Sequence, residues 1–105
     1  MSEPYEVRYT AAARDDLLRL FEFVLDRARS VKDIQEAHAA VDAIELALER
    51  MGDAPFIYRK AGASPFLREL IVPFRSAGYV ALYEIADGGV VNVLSIRHQL
   101  EDDYH

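Results

Sequence analysis

The four residues Gly52-Asp53-Ala54-Pro55 divide the chain into two halves with different hydrophobic periods. That switch constrains the fold more than any other feature of the sequence. Before it, apolar residues recur at steps of three and four, as on one face of a helix. After it they alternate or run continuously in short β-branched stretches. A chain with helices gathered in one half and strands in the other must lay a helical layer on one face of a sheet.

In the first half, Tyr5, Val7 and Tyr9 alternate with Glu6 and Arg8, the pattern of a half-buried strand. Thr10 then stands at a helix N-cap position ahead of Ala11-Ala12-Ala13. Ala13, Leu17, Phe21, Val24 and Ala28 recur at helical spacing, widened by Leu18 and Leu25. Asp15 and Asp16 fall in the early turns, where the helix dipole favours negative charge. Ser30 with Asp33 forms a shortened capping box for a second helix, whose stripe is Ala37, Val41, Ile44, Leu48 and Met51. Its small face, Ala39, Ala40, Ala43 and Ala47, is suited to close helix approach. Gly52 reads as a C′ glycine and Pro55 as the stop. Two such helices with a short connection predict an antiparallel hairpin.

In the second half, Phe66 to Val72 is strand-like, with Pro73 closing it or marking an edge or bulge. Ser76-Ala77-Gly78 is expected to turn the chain into a strand over Tyr79 to Ile85. Asp87-Gly88-Gly89 signals a hairpin, and Val90 to Ile96 supplies the last strand. Lys60 to Pro65 is the most loop-like stretch. The predicted fold class is α+β, β-α-α-β-β-β: an N-terminal strand at a sheet edge and an antiparallel helical hairpin packed on a C-terminal antiparallel sheet. At 105 residues with 51% hydrophobic content, one domain over 1–105 is expected.

Composition narrows the chemistry. With no cysteine, thiol catalysis, disulfides and cysteine-based zinc sites are excluded. Three scattered histidines without ligand spacing give no expectation of a metal, and nothing in the sequence calls for a cofactor. The apolar stretches are far short of a membrane span and the first residues do not resemble a signal peptide, so a cytoplasmic protein is expected. The net charge of −6 argues against a general or sequence-specific nucleic-acid binder. The charge is graded: residues 1–54 carry −5, residues 55–100 carry +2, and Glu101-Asp102-Asp103 restores −3. If the chain has a surface for a polyanion or an acidic partner it belongs to the second half, and on charge alone a solvated sheet surface is the favoured account of the five basic residues.

This order of elements, with these residues, resembles the ParE/RelE toxin superfamily over nearly the whole chain. Tyr5-Glu6-Val7-Arg8-Tyr9-Thr10 followed by Ala13-Arg14-Asp15-Asp16-Leu17 is similar to its first strand and helix start. Leu67-Arg68-Glu69-Leu70-Ile71-Val72 is similar to its "LREL" strand. Tyr79-Val80-Ala81-Leu82-Tyr83 resembles its "YxxxY" strand, and Val93-Leu94-Ser95-Ile96-Arg97-His98 its closing strand. The resemblance implies a plasmid-stabilisation toxin held inactive by a protein antitoxin in a hetero-oligomer. The ParE-like branch poisons DNA gyrase; the RelE-like branch cuts messenger RNA on the ribosome. A third alternative is a degenerate member that binds its antitoxin and harms nothing.

Metal-free RNA cleavage requires a general base, cationic donors and a general acid. If the chain is a nuclease, Arg68, Arg97, His98 and His105 are the candidates. Each has a plainer reading: Arg68 in an ion pair with Glu69, His98 in a structural hydrogen bond, and His105 simply terminal. Tyr79 and Tyr83 share a sheet face and suit core packing. The lysine-rich loop expected of a ribosome-dependent cutter is reduced to Arg59 and Lys60, and the acidic tail would repel phosphates. Both departures fit a ParE-like toxin acting on gyrase by binding. The expected antitoxin or target surface comprises Leu18, Leu20, Phe23 and Leu25, with Arg59, Arg68 and Arg75.

Overall fold

A computed structural model describes residues 3–75 and 77–99. Strand β1 (Glu6–Tyr9) leads into helix α1 (Ala11–Asp26) and, after four connecting residues, helix α2 (Val31–Met51). A short 3-10 turn (Pro55–Ile57) and the two-residue strand β2 (Arg59–Lys60) precede β3 (Leu67–Phe74), β4 (Ala77–Ala86) and β5 (Val90–His98). This is the expected β-α-α-β-β-β order. The five strands lie in the order β1-β5-β4-β3-β2. The three long strands form an antiparallel meander and β1 takes the edge, as expected. Because β1 runs parallel to β5, the sheet is mixed. The tiny strand β2, in a stretch that reads as loop, is held at the far edge by pairing with Arg68 and Glu69.

Local signals formed these elements as their chemistry dictates. Thr10 caps α1 by accepting from the Ala13 N–H at 3.1 Å. Ser30 caps α2 by accepting from Asp33 N–H at 3.2 Å, while the Asp33 carboxylate accepts from the Arg29 N–H at 2.9 Å. That reciprocal bond falls one residue before the cap, so the short aspartate completes the box with a different amide. Helix contacts pair Leu17 with the Val41–Glu45 region and Phe21 with His38, whose rings meet edge-on at 4.9 Å, so the two helices run antiparallel. The α2 face toward α1 therefore carries His38 and Val41. The small-residue expectation is corrected: Ala40 is buried in the core but Ala39 is exposed.

The core lies between the hairpin and the sheet. Ala13, Ile44, Leu48 and Met51 from the helices meet Leu70, Val72, Ala81, Tyr83, Val91 and Val93. Tyr79 and Tyr83 belong to this core, and the Tyr83 hydroxyl donates to the Pro55 carbonyl at 2.7 Å.

Two turn expectations shift in detail. The β3–β4 turn comes earlier than Ser76-Ala77-Gly78: Arg75 takes the left-handed conformation (φ 58°), and Gly78 already pairs with Pro73 inside the strands; Ser76 lies outside the described residues. Pro73 is tolerated because β2 covers only the other end of β3. Gly88 and Gly89 both have φ above 70° in the β4–β5 hairpin, as their sequence signal requires.

Gly52 ends α2 in the right-handed region (φ −60°), so it is not a left-handed C′ residue. Its necessity is space. A Cβ there would sit 2.8 Å from Val7 Cγ2 and 3.0 Å from the Tyr5 carbonyl, whose own N–H donates to Gly52 O at 2.8 Å. Gly52→Ala is expected to destabilise the protein by about 1–3 kcal/mol through overpacking. Gly62→Ala, where a Cβ meets nothing within 4 Å, is expected to be near neutral. Urea midpoints compare the two; equal midpoints would contradict the steric account.

Candidate functional site

Among the described residues a groove of about 970 Å³ lies between α1 and the ends of β4 and β5. Its wall on α1 is Asp16, Arg19, Leu20, Phe23 and Val24; the sheet supplies Tyr79, Ile96, Arg97 and His98. Helical spacing places the α1 residues on one flank, because positions 16, 19/20, 23 and 24 fall within adjacent turns. The floor is apolar: Ile96 and Tyr79 are buried, and Leu20 packs against the core. Phe23 is 54% exposed and forms the lip. The Arg27 guanidinium lies 3.6 Å over its ring, fixing it in place.

The rim is cationic. Arg19 is exposed and reaches Asp16 at 3.3 Å, while Arg97 borders the groove at the end of β5 but shares the open sheet face with Glu69, Val80, Leu82 and Ser95. The other Asp16 carboxylate oxygen accepts from the Ile96 N–H at 2.9 Å, so the single acid of the lining is occupied on both sides. His98 packs edge-on against Tyr79 with ring centroids 5.5 Å apart. Burial raises the Tyr79 hydroxyl above its ordinary pKa, consistent with a dry floor. An apolar trough with a basic rim suits an amphipathic polypeptide segment carrying carboxylates.

The residues singled out in the sequence separate into distinct places. Leu20, Phe23, Arg97 and His98 come together in this groove. Leu18 is exposed on the opposite flank of α1, lining a hollow with Phe21, His38 and Val41, and Leu25 is half-buried. Arg75 lies at the β3–β4 turn with Glu36 at 3.3 Å. Arg59 pairs with Glu69 at 3.2 Å, so the partner of Glu69 is Arg59. Arg68 instead donates to three backbone carbonyls, Pro65 at 2.7 Å, Phe56 at 3.1 Å and Tyr58 at 2.7 Å. It holds the Pro55–Ile57 turn and the start of β2 against β3. His105, with Tyr104 and the acidic residues Glu101, Asp102 and Asp103, lies outside the described residues. Among the described residues no group of His, Asp or Glu is placed to hold a metal, and no helix is long and apolar enough to cross a membrane.

Five groove residues, Asp16, Arg19, Val24, Tyr79 and Ile96, are not distinguished as site residues by the sequence. Their only signal is membership of the apolar stripes or, for Asp16 and Arg19, of the charged positions between them.

Comparison with known proteins places this architecture. A family model described as ParE toxin of type II toxin-antitoxin system, parDE, matches residues 7–103. The curated protein Toxin RelE3 of Caulobacter vibrioides is 35% identical over 89 residues, covering 85% of this chain and 88% of that protein. Among solved structures, a chain of the chromosomal ParDE toxin–antitoxin system from P. aeruginosa superposes with TM-score 0.69 at 16% identity, over 92% of this chain and 98% of that one. The E. coli toxin RelE, as a mutant in the free state, gives 0.64 at 18% identity over 97% and 92%. A chain of the RelBE2 toxin–antitoxin complex of Mycobacterium tuberculosis gives 0.56 at 23% identity over 91% and 99%.

Proposed function

Since the chain belongs to the ParE toxin family of type II toxin–antitoxin systems, we propose that it is a toxin that acts by binding DNA gyrase and that its antitoxin neutralises it through the groove between α1 and β5. The toxin and antitoxin form a cytoplasmic hetero-oligomer in this reading.

The observation that carries the binding mechanism is the occupation of the cations on the sheet. Cleaving RNA without a metal requires several cationic donors converging on one phosphate. Here Arg8 pairs with Glu6, Arg59 with Glu69, and Arg75 with Glu36. Arg68 is held by three carbonyls. Among the described residues, that leaves Lys60 on β2 and Arg97 on β5 as sheet cations without an acidic partner. Their backbones lie three strand spacings apart, about 14 Å, and the ladder puts them on opposite faces, because Lys60 lines up with Arg68 and Tyr83 whereas Arg97 lines up with Val80. They do not converge on one phosphate. A toxin that works by surface complementarity needs no such cluster.

Messenger-RNA cleavage is the second reading. It is favoured by the name Toxin RelE3 and by Arg97 and His98 both bordering the groove.

Induced expression without the antitoxin gene discriminates between them. The expected result is filamentous growth arrest with a DNA-damage response while protein synthesis continues. Prompt loss of translation with cut transcripts would transfer the assignment to the endonuclease. Unimpeded growth with soluble protein would leave an antitoxin binder that has no target.

A further inference from the structure

Strand β5 contains one residue more than its partner uses. Leu82 pairs with Ser95 and Tyr83 with Val93, which leaves Leu94 as a bulge. Before it, the odd-numbered Val91 and Val93 face the helices and are fully buried. After it, the even-numbered Ile96 enters the core and His98 reaches Tyr79 in the groove. In an uninterrupted strand the alternation would instead send Ser95 and Arg97 toward α1 and turn His98 to the open face. The chemical identity of the groove therefore depends on a single inserted residue.

A bulge interrupts the ladder and leaves backbone groups that must be satisfied by other means. Here α1 and its cap supply the partners. The Thr10 N–H donates to the Val93 carbonyl at 3.0 Å, and the Thr10 hydroxyl lies 2.9 Å from Val93 O and 3.3 Å from Leu94 O. Strand β1 leaves β5 after Tyr9, which pairs with Val93, so it gives β5 no partner beyond the bulge on that side. In its place the largely buried Asp16 carboxylate accepts from the Ile96 N–H.

We propose that Asp16 is a positioning residue: by holding the Ile96 N–H beside the Leu94 bulge it fixes the register that turns Ile96 and His98 into the groove. Its effect on antitoxin affinity rests on the proposed role of that groove; its effect on His98 does not. Asparagine keeps an acceptor oxygen at the same reach, alanine removes it, and glutamate carries the carboxylate one methylene too far.

The test is NMR on the isotope-labelled full chain, with affinity for the antitoxin measured in parallel. Asp16→Ala is expected to raise Ile96 amide exchange by about tenfold or more, abolish the Tyr79–His98 ring contact and weaken antitoxin binding about tenfold. Asp16→Asn is expected to restore all three. A variant that melts earlier while Ile96 stays protected and the ring contact persists would overturn the proposal, because Asp16 would then be merely stabilising. Should Asp16→Ala not fold, Asp16→Glu decides: displaced His98 and Ile96 resonances support the role, and wild-type resonances overturn it. The ring contact needs no partner, so its persistence speaks against Asp16 alone. A mistaken groove would show instead as unchanged affinity in variants of Phe23 and Leu20.

Discussion

Raising the pH from about 9 to about 13 is expected to remove about 4 kcal/mol of folding stability, a large share of what a domain this size possesses. Tyr83 is fully buried with its hydroxyl on the Pro55 carbonyl, and burial pushes its pKa from 10.0 up to about 12. Tyr9 reaches about 12 as well, through burial and then the negative charges of Glu45 and Glu49. In the unfolded chain both phenols ionise near 10, while the folded protein retains their protons until about 12. Their contribution is therefore complete below pH 10 and is lost as the pH rises toward 12. Each shift is worth up to about 2.7 kcal/mol, and the half-buried Tyr9 contributes less than that. Urea unfolding across this range measures the slope. Tyr83→Phe should flatten it while costing about 1 kcal/mol at neutral pH for the lost hydrogen bond. A Tyr83→Phe variant with an unaltered alkaline slope would refute the assignment.

Truncating both Leu20 and Phe23 to alanine is expected to weaken the antitoxin complex by about a thousandfold, at about 2 kcal/mol for each apolar anchor. Phe23 is half exposed, so its removal takes little from the fold; Leu20 also packs against the core, so its truncation costs stability as well and affinity is read on the folded protein. Leu18→Ala is the internal control. Leu18 is equally exposed but lies on the flank toward α2, outside the groove, and its loss should leave affinity unchanged. Titration calorimetry on the purified toxin variants decides between the flanks. Equal losses from Leu18 and Phe23 would move the docking surface to the helical hairpin's outer side.

What the sequence disclosed depended on how local the cause was. Thr10 and Ser30 announced their helix starts because a cap is written in two or three residues. Asp87-Gly88-Gly89 likewise contains its whole turn. Gly52 was readable as an end but not for its reason, since the crowding comes from Tyr5 and Val7 at the other end of the first half. Arg68 and Glu69, adjacent in sequence, find different partners because a strand sends neighbours to opposite faces. Asp15 and Asp16 look interchangeable as early-turn acids, yet only Asp16 meets β5, and its partner Ile96 is eighty residues away. The Leu94 bulge left only a faint trace: the polar residues Asn92 and Ser95 stand three apart instead of two or four, which a simple strand alternation from Val90 to Ile96 passes over.

The parallel pairing of β1 with β5 has a consequence for how the molecule comes into being. Residues far apart in sequence bond to one another, with Thr10 meeting Val93 and Asp16 meeting Ile96. On the ribosome, where domains fold as they emerge, β1 must wait for β5 to be translated before it gains its partner. The groove closes last, because β5 supplies one of its walls. A nascent chain that stalls before Val90 has helices and a hairpin but no wall for Phe23 to face. The groove thus comes into existence only once β5 has been made.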